Sequence, residues 1–225
     1  MNYFFFGVAI FLAVLDWIAV AREWKKLEYF AKPATMLALL TFVIQNGGLS
    51  GGMIWFTLGL IFSLAGDVFL MLPKEQFIAG LVSFLLAHVA YIIGLAPKLP
   101  RDLPSLLIAT SLAIFIALAA SQIYRRIAAG LQTSGKTSLR SPVLLYTIVI
   151  SLMLFSAMLT LLGDRWSSID ALTVCAGAAL FFLSDAILAW NKFVSPIRYG
   201  RLMNMASYHL GQLLTALGAA LHFLG

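Results

Sequence analysis

The sequence predicts an all-α polytopic membrane protein with eight transmembrane helices. Three observations carry that prediction. Of the 225 residues, 62% are hydrophobic and only 11% charged, with a mean hydropathy of +0.97. A soluble domain carries about a quarter charged residues, so this chain has too little polar surface to cover a globule in water. Apolar runs of about 20 residues, the length that crosses a hydrocarbon core, recur along the chain. The Lys and Arg residues between those runs alternate in abundance from one connection to the next.

The spans follow in order. The first, residues 2–20, ends at AREWKKLEYFAKP. Its Ala19-Val20-Ala21 resembles a signal-peptide cleavage site, but no positive charge precedes the apolar run, so it reads as a helix of the mature chain. The second, 32–46, is short, opened by Lys32-Pro33 and closed by NGGLSGG. The third, 52–72, carries Asp67 and ends at LPKEQ. The fourth, 76–96, carries His88 and Tyr91 and ends at APKLPRDLP. The fifth, 103–122, gives way to the polar segment RRIAAGLQTSGKTSLRSP, and the sixth, 142–162, starts at Pro142 and stops at GDRWSS. The seventh, 169–190, carries Asp185 and ends at NKFVSPIRYGR, whose first residue is Asn191. The eighth, 200–224, carries Asn204, Tyr208 and Gln212. Every break holds Gly, Pro or charge, and none is long enough for a second domain, so residues 1–225 form one transmembrane domain.

Charge sets the orientation. Alternate connections hold Arg22, Lys25, Lys26 and Lys32; Lys74; Arg125, Arg126, Lys136 and Arg140; and Lys192, Arg198 and Arg201. The remaining connections hold only Lys98, Arg101 and Arg165. The rich set is cytoplasmic by the positive-inside rule, which leaves both termini on the opposite side. Asp16, Asp67 and Asp185 then lie near the inner ends of the first, third and seventh spans, and Lys32 opens the second at the same depth.

An internal repeat is also visible. A shift of 118 residues aligns Gly59 with Gly177, Gly66 with Ser184, Asp67 with Asp185 and Leu70 with Leu188. The following spans carry AHVAY and SYHLGQ at similar distances, and Lys32-Pro33 and Ser141-Pro142 open the second and sixth. This is the pattern of a four-plus-four parallel repeat, whose axis along the membrane normal would bring Asp67 and Asp185 to equivalent depth.

A carboxylate inside a spanning helix costs about 2.5–3.5 kcal/mol on insertion scales. Two of them at equivalent positions point to catalytic or proton-binding groups, with interfacial water or a tie to Lys32 as the structural reading. Asp16 has no repeat counterpart and is a possible accessory carboxylate. His88 and Tyr91, three apart, share a helix face. Asn204, Tyr208 and Gln212, four apart, form a polar stripe that must face protein or water.

Other chemistries lack their residues. The single cysteine, Cys175, permits no disulfide within the chain. No HExxH or comparable His cluster reads as a metal site, no GxSxG elbow is present, and no motif for nucleic-acid binding accompanies the net charge of +6. Carboxylate acid/base chemistry is the main catalytic option. The same intramembrane carboxylates and parallel repeat also describe a proton-coupled transporter of a lipid or small amphiphile, and on the bare residues neither reading prevails.

GDVFLML followed by FLLAHVAYIIGL, and LFFLSDAILAWNKF followed by SYHLGQLLTALG, resemble the YhhN-like lysoplasmalogenase family of multi-pass membrane hydrolases, as does Lys32-Pro33. The likeness runs from the second span to the eighth. It implies cofactor-free cleavage of the vinyl ether of a lysoplasmalogen, a lysophospholipid, to a fatty aldehyde and a glycerophospho-base, within membrane lipids. Asp67, His88, Asp185, Tyr208 and Gln212 take the family's motif places, and Lys32 and Asn191 fit more loosely. Vinyl ether cleavage needs one carboxylic acid to protonate carbon and one carboxylate to stabilise the cation or activate water, the division of labour glycosidases use. The short loops suggest a bacterial inner membrane.

Overall fold

The computed structural model describes residues 1–72 and 76–225, so Lys74 lies outside the described residues. Among them there are eight α-helices and no strand: α1 (Phe4–Ala21), α2 (Lys25–Gln45), α3 (Met53–Met71), α4 (Phe77–Leu95), α5 (Leu103–Thr133), α6 (Arg140–Leu159), α7 (Ser168–Phe193) and α8 (Gly200–Leu224). Single 3₁₀ turns flank α6, at Thr137–Leu139 and Thr160–Leu162.

Seven of these segments, α1 to α7, are long and apolar enough to cross a membrane. α8 is long enough at 25 residues but is too polar to qualify on composition. The reason is its position. Asn204, Ser207, Tyr208, His209, Gln212 and Thr215 are all buried, so its polar face meets protein, where hydrogen-bonding groups are tolerated, rather than lipid.

Two helices depart from the sequence reading. α2 starts at Lys25, so Lys32 and Pro33 stand inside the helix rather than at its start. Proline's fixed φ suits a helix, but inside one it removes a backbone hydrogen bond and crowds the preceding turn, a local cost that α2 carries. α5 continues past residue 122 to Thr133, through the segment read as polar connection. Arg, Ala, Leu and Gln there are all good helix formers, and polarity marks the end of hydrocarbon, not of the helix. At its other end Asp102 caps α5 by accepting from the Ser105 N–H at 2.8 Å, and those bonds hold its carboxyl below the ordinary value.

The helices associate as hairpins α1–α2, α3–α4 and α7–α8, with α6 set against α4, α5 and α7, and α1 against α8. Glycine sets how closely two of these pairs approach. A Cβ on Gly177 of α7 would lie 2.5 Å from the Thr215 backbone nitrogen of α8, and one on Gly59 of α3 would lie 2.1 Å from the Tyr91 ring of α4. Small residues at helix crossings permit this contact, which drives association where lipid supplies no hydrophobic contrast. Outward, α5 presents Leu107, Ile114, Phe115 and Leu118, the apolar surface a lipid-facing helix needs.

Candidate active site

Buried carboxylates need partners, and α3 and α7 supply two carboxylates with different ones. Asp67 on α3 is 1% exposed. Its Oδ1 lies 2.9 Å from Lys32 Nζ of α2, and its Oδ2 accepts from Tyr208 Oη of α8 at 2.6 Å. The inward placement of Lys32, two turns into α2, makes this buried ion pair possible.

Asp185 on α7 meets a different set. Tyr146 Oη of α6 donates to Asp185 Oδ2. His88 Nε2 of α4 lies 2.9 Å from the same Tyr146 oxygen and 3.4 Å from Asp185 Oδ2. Because the Tyr146 proton points to Asp185 Oδ2, the network assigns the imidazole proton to Nε2, donating to Tyr146 or to that oxygen. Asp185 retains 13% side-chain exposure. The two groups share a wall: Phe181 of α7 makes edge contacts with His88 at 4.7 Å and Tyr208 at 5.5 Å between ring centroids, which restricts both rings.

Asp67 and Asp185 open onto one cavity of about 230 Å³. Lys32, Tyr208 and Asn204 also line it, and charged Glu28, Lys192 and Arg201 lie around it. A second, apolar crevice runs from there between α4, α5, α6 and α7, past Phe77, Leu81, Ile123, Ile150 and Phe182. The two spaces share Leu70, Phe77, Phe84, Asp185 and Leu188. Asp185 is thus the one titratable side chain on both the polar and the apolar lining among the described residues. The crevice in turn shares Ala120 and Thr147 with a groove of about 420 Å³ between α5 and α6.

The other residues singled out in the sequence fall into three groups. Asn204 lines the cavity, and its Nδ2 donates to the Ser184 carbonyl at 2.8 Å and to its hydroxyl at 2.9 Å, fixing α8 to α7 beside Asp185. Tyr91 and Gln212 meet each other instead, with Tyr91 Oη donating to Gln212 Oε1 at 2.7 Å. They tie α4 to α8 without lining the cavity. Asn191 also stands off it, accepting the Ile197 N–H at 2.7 Å to shape the turn into α8. Asp16 is fully buried at the α1–α8 contact, 4.0 Å from His209 Nδ1, and neither oxygen has a hydrogen-bond partner among the described residues. His209 Nδ1 already accepts from Trp17 Nε1 at 3.2 Å.

Sequence reasoning missed Tyr146, Glu28 and Arg201 as site residues. A lone Tyr in an apolar run reads as packing, although its hydroxyl must find a partner when buried. Glu28 and Arg201 read as topology charges. Among the described residues no group of His, Cys, Asp or Glu gathers as metal ligands.

The model of the YhhN family matches residues 27–219. The chain is 30% identical over 218 residues to a lysoplasmalogenase, TMEM86B, of Mus musculus, covering 95% of this chain and 84% of that one. It is 32% identical over 166 residues to lysoplasmalogenase TMEM86A of Homo sapiens, 72% of this chain and 63% of that one. It is 29% identical over 143 residues to a lysoplasmalogenase of Mycobacterium tuberculosis (strain CDC 1551 / Oshkosh), 62% of this chain and 50% of that one. No solved structure matches.

Proposed function

The chain belongs to the YhhN family, and from that premise we infer that it is a lysoplasmalogenase, a membrane hydrolase that cleaves the vinyl ether of lysoplasmalogens to a fatty aldehyde and a glycerophospho-base. The names of its curated relatives support the substrate and the reaction. The observation that carries the assignment of roles is the position of Asp185 where a polar cavity meets an apolar crevice. A lysoplasmalogen has its vinyl ether at the same kind of boundary, between glycerophospho-head and hydrocarbon chain. With the head in the polar cavity and the chain in the crevice, the reacting double bond lies beside Asp185.

The chemistry runs in three steps. Asp185, carrying its proton on the oxygen opposite Oδ2, which accepts from Tyr146, gives that proton to the vinyl carbon β to the ether oxygen, and an oxygen lone pair forms the oxocarbenium ion at the neighbouring carbon. Asp67, balanced by Lys32 and Tyr208, remains a carboxylate and stabilises that cation through space. Water then adds to the cationic carbon and returns a proton to Asp185. Collapse of the hemiacetal moves the hydroxyl proton to the ether oxygen, breaks the carbon–oxygen bond and releases aldehyde and alcohol. Tyr146 and His88 orient Asp185, and Asn204 orients the cavity wall. Tyr91, Gln212 and Asn191 hold the helices that carry these groups, and Asp16 stands as an accessory carboxylate behind them.

In the bilayer the reading is an eight-span bundle. The burial of the polar stripe on α8 and the alternating Lys and Arg support α8 as the eighth span, with both termini outside. The matched close approaches at Gly59 and Gly177 support a four-plus-four parallel repeat. The short connections support a bacterial inner membrane. The test is purified protein in detergent with a lysoplasmalogen and no gradient. Aldehyde release is expected. Absence of turnover, together with gradient-dependent uptake of the lipid into liposomes, would replace the hydrolase with a carrier.

A further inference from the structure

The polar cavity has a feature that neither carboxylate explains. Glu28, in the first turns of α2, and Arg201, at the start of α8, stand on its lining. One Arg201 nitrogen donates to both Glu28 oxygens at 2.8 Å. The two side chains are not equally covered: Arg201 is 57% exposed and Glu28 16%. The pair therefore has a solvated cation above a largely covered anion. Lys192, from the end of α7, lies on the same lining. All three belong to the helix ends where the connections are richest in Lys and Arg.

We infer that Glu28 and Arg201 form the headgroup site, in which Arg201 binds the phosphodiester and Glu28 receives the ammonium of a zwitterionic head. The proposal rests on the hydrolase reading and deepens it by naming the substrate's polar end. A bound phosphodiester competes for Arg201 with the carboxylate it now holds, because a guanidinium pairs with phosphate as well as with carboxylate. The exposed arm of Arg201 allows that exchange without moving α8. Glu28 then loses its cation while still largely covered, and a choline or ethanolamine nitrogen restores the balance. A lipid with a neutral head leaves Glu28 uncompensated. The pair thus selects for zwitterionic lysolipids by penalising the others, while Lys32 and Asp67, farther inside, take no part in reading the head.

The experiment measures dissociation constants for alkyl-ether lysolipids, which lack the double bond and are not cleaved, with choline or glycerol on the phosphate. The native protein is expected to bind the choline form more tightly. In Glu28→Gln the choline form loses about five-fold, the size of a partly exposed ion pair, and the glycerol form does not. In Arg201→Gln both forms lose affinity together, because both carry the phosphate. Equal weakening of both lipids by Glu28→Gln would overturn the proposal and leave Glu28 as a tie between α2 and α8. Equal affinity of the native protein for the two heads would overturn it as well. If the native protein keeps the headgroup preference but releases no aldehyde from the vinyl ether lipid, the hydrolase reading fails and the headgroup site stands.

Discussion

Two aspartates that a 118-residue shift of the sequence aligns live in different surroundings. Asp67 is 1% exposed, lines only the polar cavity and is paired with a lysine 2.9 Å away. Asp185 retains some exposure and is met by a tyrosine and a histidine, and it stands at the edge of the hydrocarbon crevice. The same side chain is thus held in two environments, and in the proposed mechanism these separate an electrostatic role from an acid one. The partners that distinguish them come from other helices: Lys32 of α2 and Tyr208 of α8 for Asp67, Tyr146 of α6 and His88 of α4 for Asp185.

The comparison breaks most directly at the carboxylates. Asp185→Asn and Asp67→Asn should each lower kcat by about 10²–10⁴, the usual range for acid and base groups, measured as aldehyde release by protein whose unfolding temperature is checked in parallel. They should differ in rescue: formate should restore more of the activity of Asp185→Ala, whose side chain keeps 13% exposure and borders both spaces, than of Asp67→Ala, where Lys32 and Tyr208 crowd the carboxylate. Equal rescue would erase the distinction between the more and the less accessible carboxylate.

Lys32→Met comes next. Removing one member of a buried ion pair costs about 3–5 kcal/mol, so this variant should unfold at markedly lower denaturant in detergent. Lys32→Met with Asp67→Asn should regain most of that stability but no activity. A single variant as stable as the native protein would show that Asp67 does not depend on Lys32.

Tyr146→Phe should act least. It removes one hydroxyl and keeps the ring, a loss of about 1 kcal/mol, read as a five- to ten-fold fall in kcat with KM unchanged. Tyr208→Phe, the partner change at Asp67, should lower stability more than Tyr146→Phe does. Indistinguishable effects in the two assays would mean that the two tyrosines serve the same purpose.

Much of this was legible in the sequence, for reasons that particular residues make plain. Asp67 and Asp185 stand out because an ionisable group in an apolar run is costly, and the 118-residue offset matches one to the other. Asn204, Tyr208 and Gln212 declare one helix face by spacing alone. Spacing does not say what that face meets: Asn204 and Tyr208 reach the cavity, whereas Gln212 pairs with Tyr91. Lys32 was legible as a partner for a buried Asp but not as an interior residue, because Lys-Pro ordinarily marks a helix start. Asn191 entered as a site residue only through the family resemblance, and its side chain accepts the Ile197 N–H. Tyr146, Glu28 and Arg201 needed the tertiary arrangement, since nothing local separates a tyrosine that orients an acid from one that packs, or a headgroup charge from a topology charge.

Hydrolysis in D₂O, with the aldehyde reduced in situ to the alcohol, tests most directly whether a fixed carboxylic acid, the role proposed for Asp185, protonates carbon. The predicted product carries one deuterium on the carbon next to the former carbonyl, on one stereochemical face, because the donor approaches from one side of the bound double bond. An alcohol without deuterium at that carbon, or with deuterium scrambled over both faces, would contradict it.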